Sequence, residues 1–390
     1  MSPAFSSARQ AGAFALLLLG ILLLPMLAGK SCLPPREQIY SSVPLLRGPY
    51  PYLHQQIFEE KGDIDIAFVG SSLMWVGIDA PYVQKELSAT LGRNAEVRSL
   101  GWVFSGCDAL YFIARDLLQN RKIRLLVIYD EDPGPDSPHS MSTRLFRFRE
   151  HADALTGLPA KARAAYYFGA ILGMPRNLLS LIRPNLGPDQ SPAIQNYWET
   201  RYHTPDIPSR LGSVSAQRGF NDDWPNPTFT EYTPRLTAQP SDVSIYSPAT
   251  ESVFRFHGRL DTPNALRQWP LTESSAQTRG WATRSLQFHF ARKIAELALE
   301  HQTKLVFLHM PESTEMGSSV IQEPEFRPRE LRGDVAMAGI QPSKFFQGMS
   351  AEDIRMLYYN DEHLNKNGQT YFTRLVTPAL LKLYDAPYRP

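Results

Sequence analysis

The sequence predicts an α/β fold built on a doubly wound parallel sheet, and three observations carry that prediction. The runs Ile64–Gly70, Ile123–Tyr129 and Thr303–His309 are almost continuously apolar, as strands covered on both faces must be. Segments of helical length separate successive strands, which is the pattern of a parallel sheet with crossover helices. The first strand runs straight into Gly70-Ser71-Ser72, a tight turn that leaves a hydroxyl at the strand tip.

At 390 residues the chain can form one large domain or two modest ones. It begins with an uncharged, leucine-dominated run, Ala11–Gly29, preceded by Arg9 and followed by Lys30. About twenty apolar residues cross a bilayer, so residues 1–31 are expected to be a retained transmembrane anchor with its N-terminus inside the cell. The alternative is a cleaved signal peptide. Gly29-Lys30-Ser31 is a passable cleavage site, whereas Met26-Leu27-Ala28 has a bulky residue at its −3 position. Either reading exports the remainder, residues 32–390. Residues 32–62 form a Pro-rich neck (Pro34, Pro35, Pro44, Pro49, Pro51), and residues 63–390 are the expected folded domain. An exported compartment permits a disulfide between the two cysteines, Cys32 and Cys107, and two unpaired thiols fit equally well.

Within that domain, Asp79 can cap a helix over Pro81–Leu91 that stops at Gly92. Ala95–Leu100 reads as the second strand, followed by a helix over about Asp108–Gln119. After Ile123–Tyr129 the alternation breaks, and an insertion over about 131–277 carries one clear helix, Lys161–Ile182. The rest of the insertion is rich in Pro, Ser, Asn and Thr, and further short elements are expected in so long a connection. Its Trp198, Tyr202, Trp224, Tyr232 and Trp269 suit either ordinary packing of a loop-rich subdomain, the favoured reading, or a carbohydrate surface. Alternation resumes with an amphipathic helix over Thr283–His301, which places Leu286, Phe290, Ile294 and Leu297 on one face. The strand Thr303–His309 follows. A last helix over Lys366–Tyr384 has Asn365 as N-cap, and Pro378 is expected to kink or split it.

Charge excludes one class of function. Lys+Arg 40 against Asp+Glu 39 leaves no basic field to attract nucleic acid. No His/Cys/Asp/Glu group has metal-ligand spacing and no glycine-rich phosphate loop occurs, so no metal and no cofactor are expected.

The chemistry points elsewhere. In doubly wound sheets ligands bind beyond the carboxyl ends of the strands, where Ser72 would sit. A serine attacks only when a base takes its proton, and a histidine serves best when a carboxylate fixes its tautomer. Asp361-Glu362-His363-Leu364-Asn365, just before the last helix, supplies both parts. Asp361 would accept the Nδ1 proton while Nε2 of His363 faces Ser72. Backbone N–H groups of Ser72 and Gly106 are the candidate oxyanion donors. Of the other eight histidines only His309, at a strand end, could reach the same rim.

Strand-Gly-Ser-Ser-Leu, a second block ending in Ser105-Gly106, and a terminal Asp-x-His-Leu-Asn-x-x-Gly together resemble the SGNH/GDSL hydrolase superfamily. The similarity is to its membrane-anchored members that serve envelope-polymer acylation, such as the alginate O-acetylation and teichoic-acid D-alanyl transfer proteins. It covers about half of the chain. It implies Ser72 as nucleophile, Gly106 as oxyanion donor, and Asp361 and His363 as the remaining pair. Ser71 stands where many members place Asp, as in several anchored acylation members. Tyr129-Asp130-Glu131-Asp132-Pro133 lacks the family's third-block asparagine, and a carboxylate there would repel an oxyanion.

The resulting expectation is a membrane-tethered, extracytoplasmic serine acyltransferase or esterase. Its acceptor would be an envelope polysaccharide and its acyl group acetyl. A membrane-bound O-acyltransferase partner is implied by the resemblance alone. Two other functions are kept open: a binding or assembly subunit of this fold without turnover, and a membrane-associated lipid esterase. The residues that bind substrate are not identified by the sequence.

Overall fold

Six strands form one sheet: β1 (Ile64–Gly70), β2 (Val97–Gly101), β3 (Ile123–Tyr129), β4 (Val243–Tyr246), β5 (Lys304–His309) and β6 (Val335–Ile340). The computed structural model describes residues 7–27, 35–40, 53–101, 106–129, 137–182, 237–246, 286–315, 333–358 and 362–389. Strand order is β2-β1-β3-β5-β6-β4. The first five strands in that order are parallel, and β4 pairs antiparallel with β6. Successive residues of a strand point to opposite faces, so each strand feeds two cores. Ala67 and Val69 of β1 enter one, while Ile66 and Phe68 enter the other. This is why the sequence reads as apolar runs rather than as alternation.

The helices are α1 (Ala8–Leu27), α2 (Arg36–Tyr40), α3 (Ser72–Gly77), α4 (Ala80–Leu91), α5 (Cys107–Asn120), α6 (Ser140–Leu145), α7 (Ala160–Ile182), α8 (Leu286–Glu300), α9 (Pro342–Phe345), α10 (Ala351–Arg355) and α11 (Lys366–Asp385). On one face of the sheet Phe112 of α5, Tyr166 of α7 and Phe290 of α8 pack with Phe146. On the other face Val83 and Leu87 of α4 and Phe372, Val376 and Leu380 of α11 form the second core. The α/β class and the two-sided winding are as expected. The sheet is mixed rather than wholly parallel, because β4 caps the β6 edge in the opposite sense.

The insertion carries the expected helix as α7, and the further short elements expected in so long a connection are present too: α6, a 3₁₀ segment over Phe148–Leu155 and β4 lie within it. Phe146, Phe148, Leu155 and Tyr166 are core residues, so this region completes the cover of one face of the sheet. The aromatic residues Trp198, Tyr202, Trp224, Tyr232 and Trp269 lie outside the described residues. Residues Val335–Ile340, not anticipated as a strand, form β6. Ala336, Ala338 and Gly339 dilute its apolar signal although all six positions are buried.

Pro378 neither splits nor ends α11, which runs as one helix to Asp385. Proline removes the hydrogen bond to the carbonyl four residues back, here that of Arg374. Both Arg374 and Pro378 face solvent, so water can solvate that carbonyl.

Residues 8–27 are helical as expected, and Phe14 and Leu16 to Leu19 are exposed on α1. Side chains of α1 are described only as far as residue 20. Among the described residues no helix is long and apolar enough to cross a membrane, so the expected transmembrane segment gains no support from the fold. The described start of the neck, α2, is firmly attached. Arg36 of α2 pairs with Asp116 of α5, with Nη2 2.5 Å from Oδ2, and its Nη1 reaches the Leu145 carbonyl at 2.5 Å. The Tyr40 hydroxyl donates to the same carboxylate at 2.7 Å.

Candidate functional site

β1 is buried along its whole length and delivers its carboxyl end to the N-terminus of α3. Ser71 is the N-cap, and its hydroxyl oxygen accepts from the Leu73 N–H at 3.2 Å. Ser72 is therefore the first residue of a helix, where backbone N–H groups are left without intrahelical partners. Two glycines make this junction tight. A Cβ on Gly70 would lie 2.7 Å from Met74 Cβ and 3.0 Å from Tyr129 Cβ. A Cβ on Gly101 would lie 2.7 Å from the Trp75 backbone nitrogen and 3.1 Å from the Ser71 carbonyl. The end of β2 thus presses directly on the backbone of α3 and fixes where Ser72 stands.

His363 reaches this point from the opposite end of the chain. Its Nε2 lies 2.8 Å from Ser72 Oγ, a hydrogen bond spanning 291 residues of sequence. The described residues on either side of His363 fix its place. Leu364 is 1 % exposed and forms an antiparallel bridge with Tyr358. The Asn365 N–H donates to the Leu357 carbonyl at 2.9 Å, and its Nδ2 donates to the Met356 carbonyl at 2.9 Å. Asn365 Oδ1 caps α11 by accepting from the N–H groups of Asn367 (2.9 Å) and Gly368 (3.2 Å). A Cβ on Gly368 would sit 2.2 Å from the Leu357 carbonyl oxygen. The Leu-Asn-x-x-Gly tail of the motif is thereby the mount on which His363 is held.

α11 is also stitched to the end of α3. Thr373 Oγ1 accepts from the Asp79 N–H at 3.0 Å and donates to the Gly77 carbonyl at 3.4 Å. Gln369 Nε2 donates to the Ile78 carbonyl at 3.4 Å. These bonds bring the two chain regions together independently of the Ser72–His363 contact.

The other expected site residues fall as follows. Asp361 and Asp130 lie outside the described residues. Gly106 is the N-cap of α5 with φ +93°, a conformation that disfavours any side chain. A Cβ there would also meet Gln287 Oε1 at 2.8 Å and Asp108 Oδ1 at 2.9 Å. Cys107 is buried in the first turn of α5, and Cys32 lies outside the described residues. His309 is not at an open rim: it is 0 % exposed, with Nε2 3.4 Å from Glu315 Oε2. Among the described residues no group of three or more His, Cys, Asp or Glu could hold a metal ion.

The sequence reading missed Asp108. This carboxylate is 0 % exposed. Its Oδ2 accepts from the His139 N–H (2.7 Å), the Ser142 hydroxyl (2.6 Å) and the Tyr166 hydroxyl (2.7 Å). Gln287 of α8 accepts from the Asp108 N–H at 3.3 Å and donates to Oδ1 at 3.3 Å. Burial, and then the negative charge of Asp108, push the Tyr166 hydroxyl well above the ordinary tyrosine range and keep it a donor. Burial lowers the pKa of His139, opposed by the same carboxylate. The available signal was an acid two residues after a helix-starting glycine, inside an otherwise apolar run from Cys107 to Ala114.

What this arrangement offers chemically is a hydroxyl at a helix N-terminus in hydrogen-bond contact with an imidazole nitrogen, both partly buried. No family model matches the chain, and no curated protein matches it significantly.

Proposed function

We propose that the protein is a serine-dependent O-acyltransferase or esterase, and the 2.8 Å contact between Ser72 Oγ and His363 Nε2 is the observation that carries this reading. Nucleophile and base within hydrogen-bond reach are what such chemistry needs first. Ser72 Oγ attacks the ester carbonyl carbon as its proton passes to Nε2. Backbone N–H groups of Ser72 and Gly106 receive the resulting oxyanion. The ester C–O bond then breaks, and His363 returns the proton to the departing alcohol oxygen. An acceptor hydroxyl, or water, attacks the acyl-serine, gives its proton to His363, and releases Ser72. Asp361, two residues before His363, is assigned to hold the imidazole tautomer.

The resemblance to anchored SGNH proteins supports acetyl as the acyl group and an envelope polysaccharide as acceptor. A membrane-bound O-acyltransferase would then be the partner. The leucine-rich segment within residues 8–27 supports a tether that holds the domain outside the cytoplasm. The full-length chain, purified in detergent, is treated with a fluorophosphonate probe. Labelling that disappears in Ser72→Ala and falls about 10³-fold or more in His363→Ala supports the enzyme. An unlabelled wild type sinks it in favour of a binding subunit. Release of p-nitrophenol from acetyl rather than long-chain esters separates acetyl transfer from lipid hydrolysis.

A further inference from the structure

Asp108 is placed unlike an ordinary helix-start acid. An aspartate in the first turn of a helix is favoured by the dipole and needs only water around it. Asp108 is fully buried and gathers donors from the connection before α6 (His139), from α6 (Ser142), from α7 (Tyr166) and from α8 (Gln287). A charge removed from water is tolerable only when such bonds replace its hydration. All of them converge two residues from Gly106. Gln287 and the Asp108 carboxylate are also the atoms that wall the Gly106 Cα, leaving no room for a Cβ. The peptide at Gly106 is held in its positive-φ conformation from the side by the same two side chains.

We infer that Asp108, fixed by Tyr166, Ser142 and Gln287, is a positioning residue that sets the direction of the Gly106 peptide as an oxyanion donor. The inference rests on reading Ser72 as the nucleophile. It assigns part of the 131–277 insertion a task, since Tyr166 and Ser142 belong to it. Asp108→Asn is the sharpest probe. An amide NH₂ cannot accept, so one side of the residue would face donors with a donor, and the bond from Gln287 that fixes the wall beside Gly106 would be lost.

The experiment uses the full-length protein and three variants, Asp108→Asn, Tyr166→Phe and Ser142→Ala. It measures kcat and KM for p-nitrophenyl acetate, affinity for phenylboronic acid, the pH profile of kcat/KM, and thermal unfolding. Loss of an oxyanion donor costs about 10²–10³ in kcat. Displacement of one should cost about ten- to a hundredfold, with KM held within about twofold. The boronate forms a tetrahedral adduct on serine, so its affinity should fall with kcat, while the limb of the pH profile set by His363 stays in place. Should Asp108→Asn fail to fold, Tyr166→Phe, which loses one hydroxyl, decides the matter. Folded variants with wild-type kcat and boronate affinity overturn the inference, as does a parallel loss of kcat and KM with boronate affinity kept. A wild type that neither turns over nor takes the fluorophosphonate overturns the nucleophile reading itself, and this inference with it.

Discussion

Replacing Gly368 by alanine separates local helix preference from tertiary fit, because the two predict opposite signs. Gly368 lies in the first turn of α11, and alanine is favoured over glycine inside a helix by about 0.8–1 kcal/mol. Propensity alone therefore predicts a more stable protein. The structure places the new Cβ 2.2 Å from the Leu357 carbonyl oxygen and 2.7 Å from Leu364 Cδ2. A carbon rests about 3.3 Å or more from such an oxygen, so backbone must retreat by about 1 Å. Overpacking of this kind costs about 1–3 kcal/mol, which outweighs the propensity gain at all but the bottom of that range. Of the residues that must retreat, Leu357 and Leu364, the second is bonded directly to His363. A shift of 1 Å would stretch the 2.8 Å Ser72–His363 bond beyond useful proton transfer, and such misplacement costs about 10²-fold in rate. Urea denaturation measures the first effect and Ser72 labelling by fluorophosphonate the second. A Gly368→Ala protein that is more stable than wild type and labels at the wild-type rate would refute the argument that this glycine mounts His363.

Three further outcomes are expected. Arg36→Ala removes the bidentate cation from the Asp116 carboxylate, 1 % exposed, and leaves it the Tyr40 hydroxyl and the more distant charge of Arg147. Stability should fall by about 3–5 kcal/mol in denaturant titration, and a loss under 1 kcal/mol would show that the neck is not fixed there. Asp65 is held below the usual carboxylate range: burial acts to raise it, but bonds from Arg93, Tyr384 and the Glu96 N–H prevail. A depressed pKa contributes stability that is fully present above the unfolded value of about 3.9 and is lost as pH falls through the folded one. Asp65→Asn should therefore be less stable at pH 7 and show a shallower loss below pH 4; an unchanged acid limb would rule this out. Pro378→Ala should stabilise α11, because it restores a helical N–H at an exposed site. A lower urea midpoint would contradict that reading.

The sequence was most legible where a single physical requirement governs a segment. Continuous burial on both faces made Ile64–Gly70 and Ile123–Tyr129 recognisable, and the structure returns both strands with the same bounds. Asp79 and Gly92 marked the ends of α4 because cap chemistry is local. It was least legible where partners are distant. β6 hid behind small residues, and β4, only four residues long, joined the sheet from inside an insertion rich in Pro, Ser, Asn and Thr. Asp108 looked like an ordinary first-turn acid, since Tyr166 and Gln287 lie 58 and 179 residues away.

Residue order by itself determined the alternation of elements, the glycine-serine turn after β1 and the imidazole before α11, because each follows from neighbours within a few positions. Tertiary structure alone decided that Ser72 and His363 touch. That contact depends on Gly101 admitting the backbone of α3, on Thr373 and Gln369 binding the end of that helix, and on Asn365 and Gly368 shaping the loop. Each of these links joins residues that no local pattern pairs, and only close packing in three dimensions brings them into register.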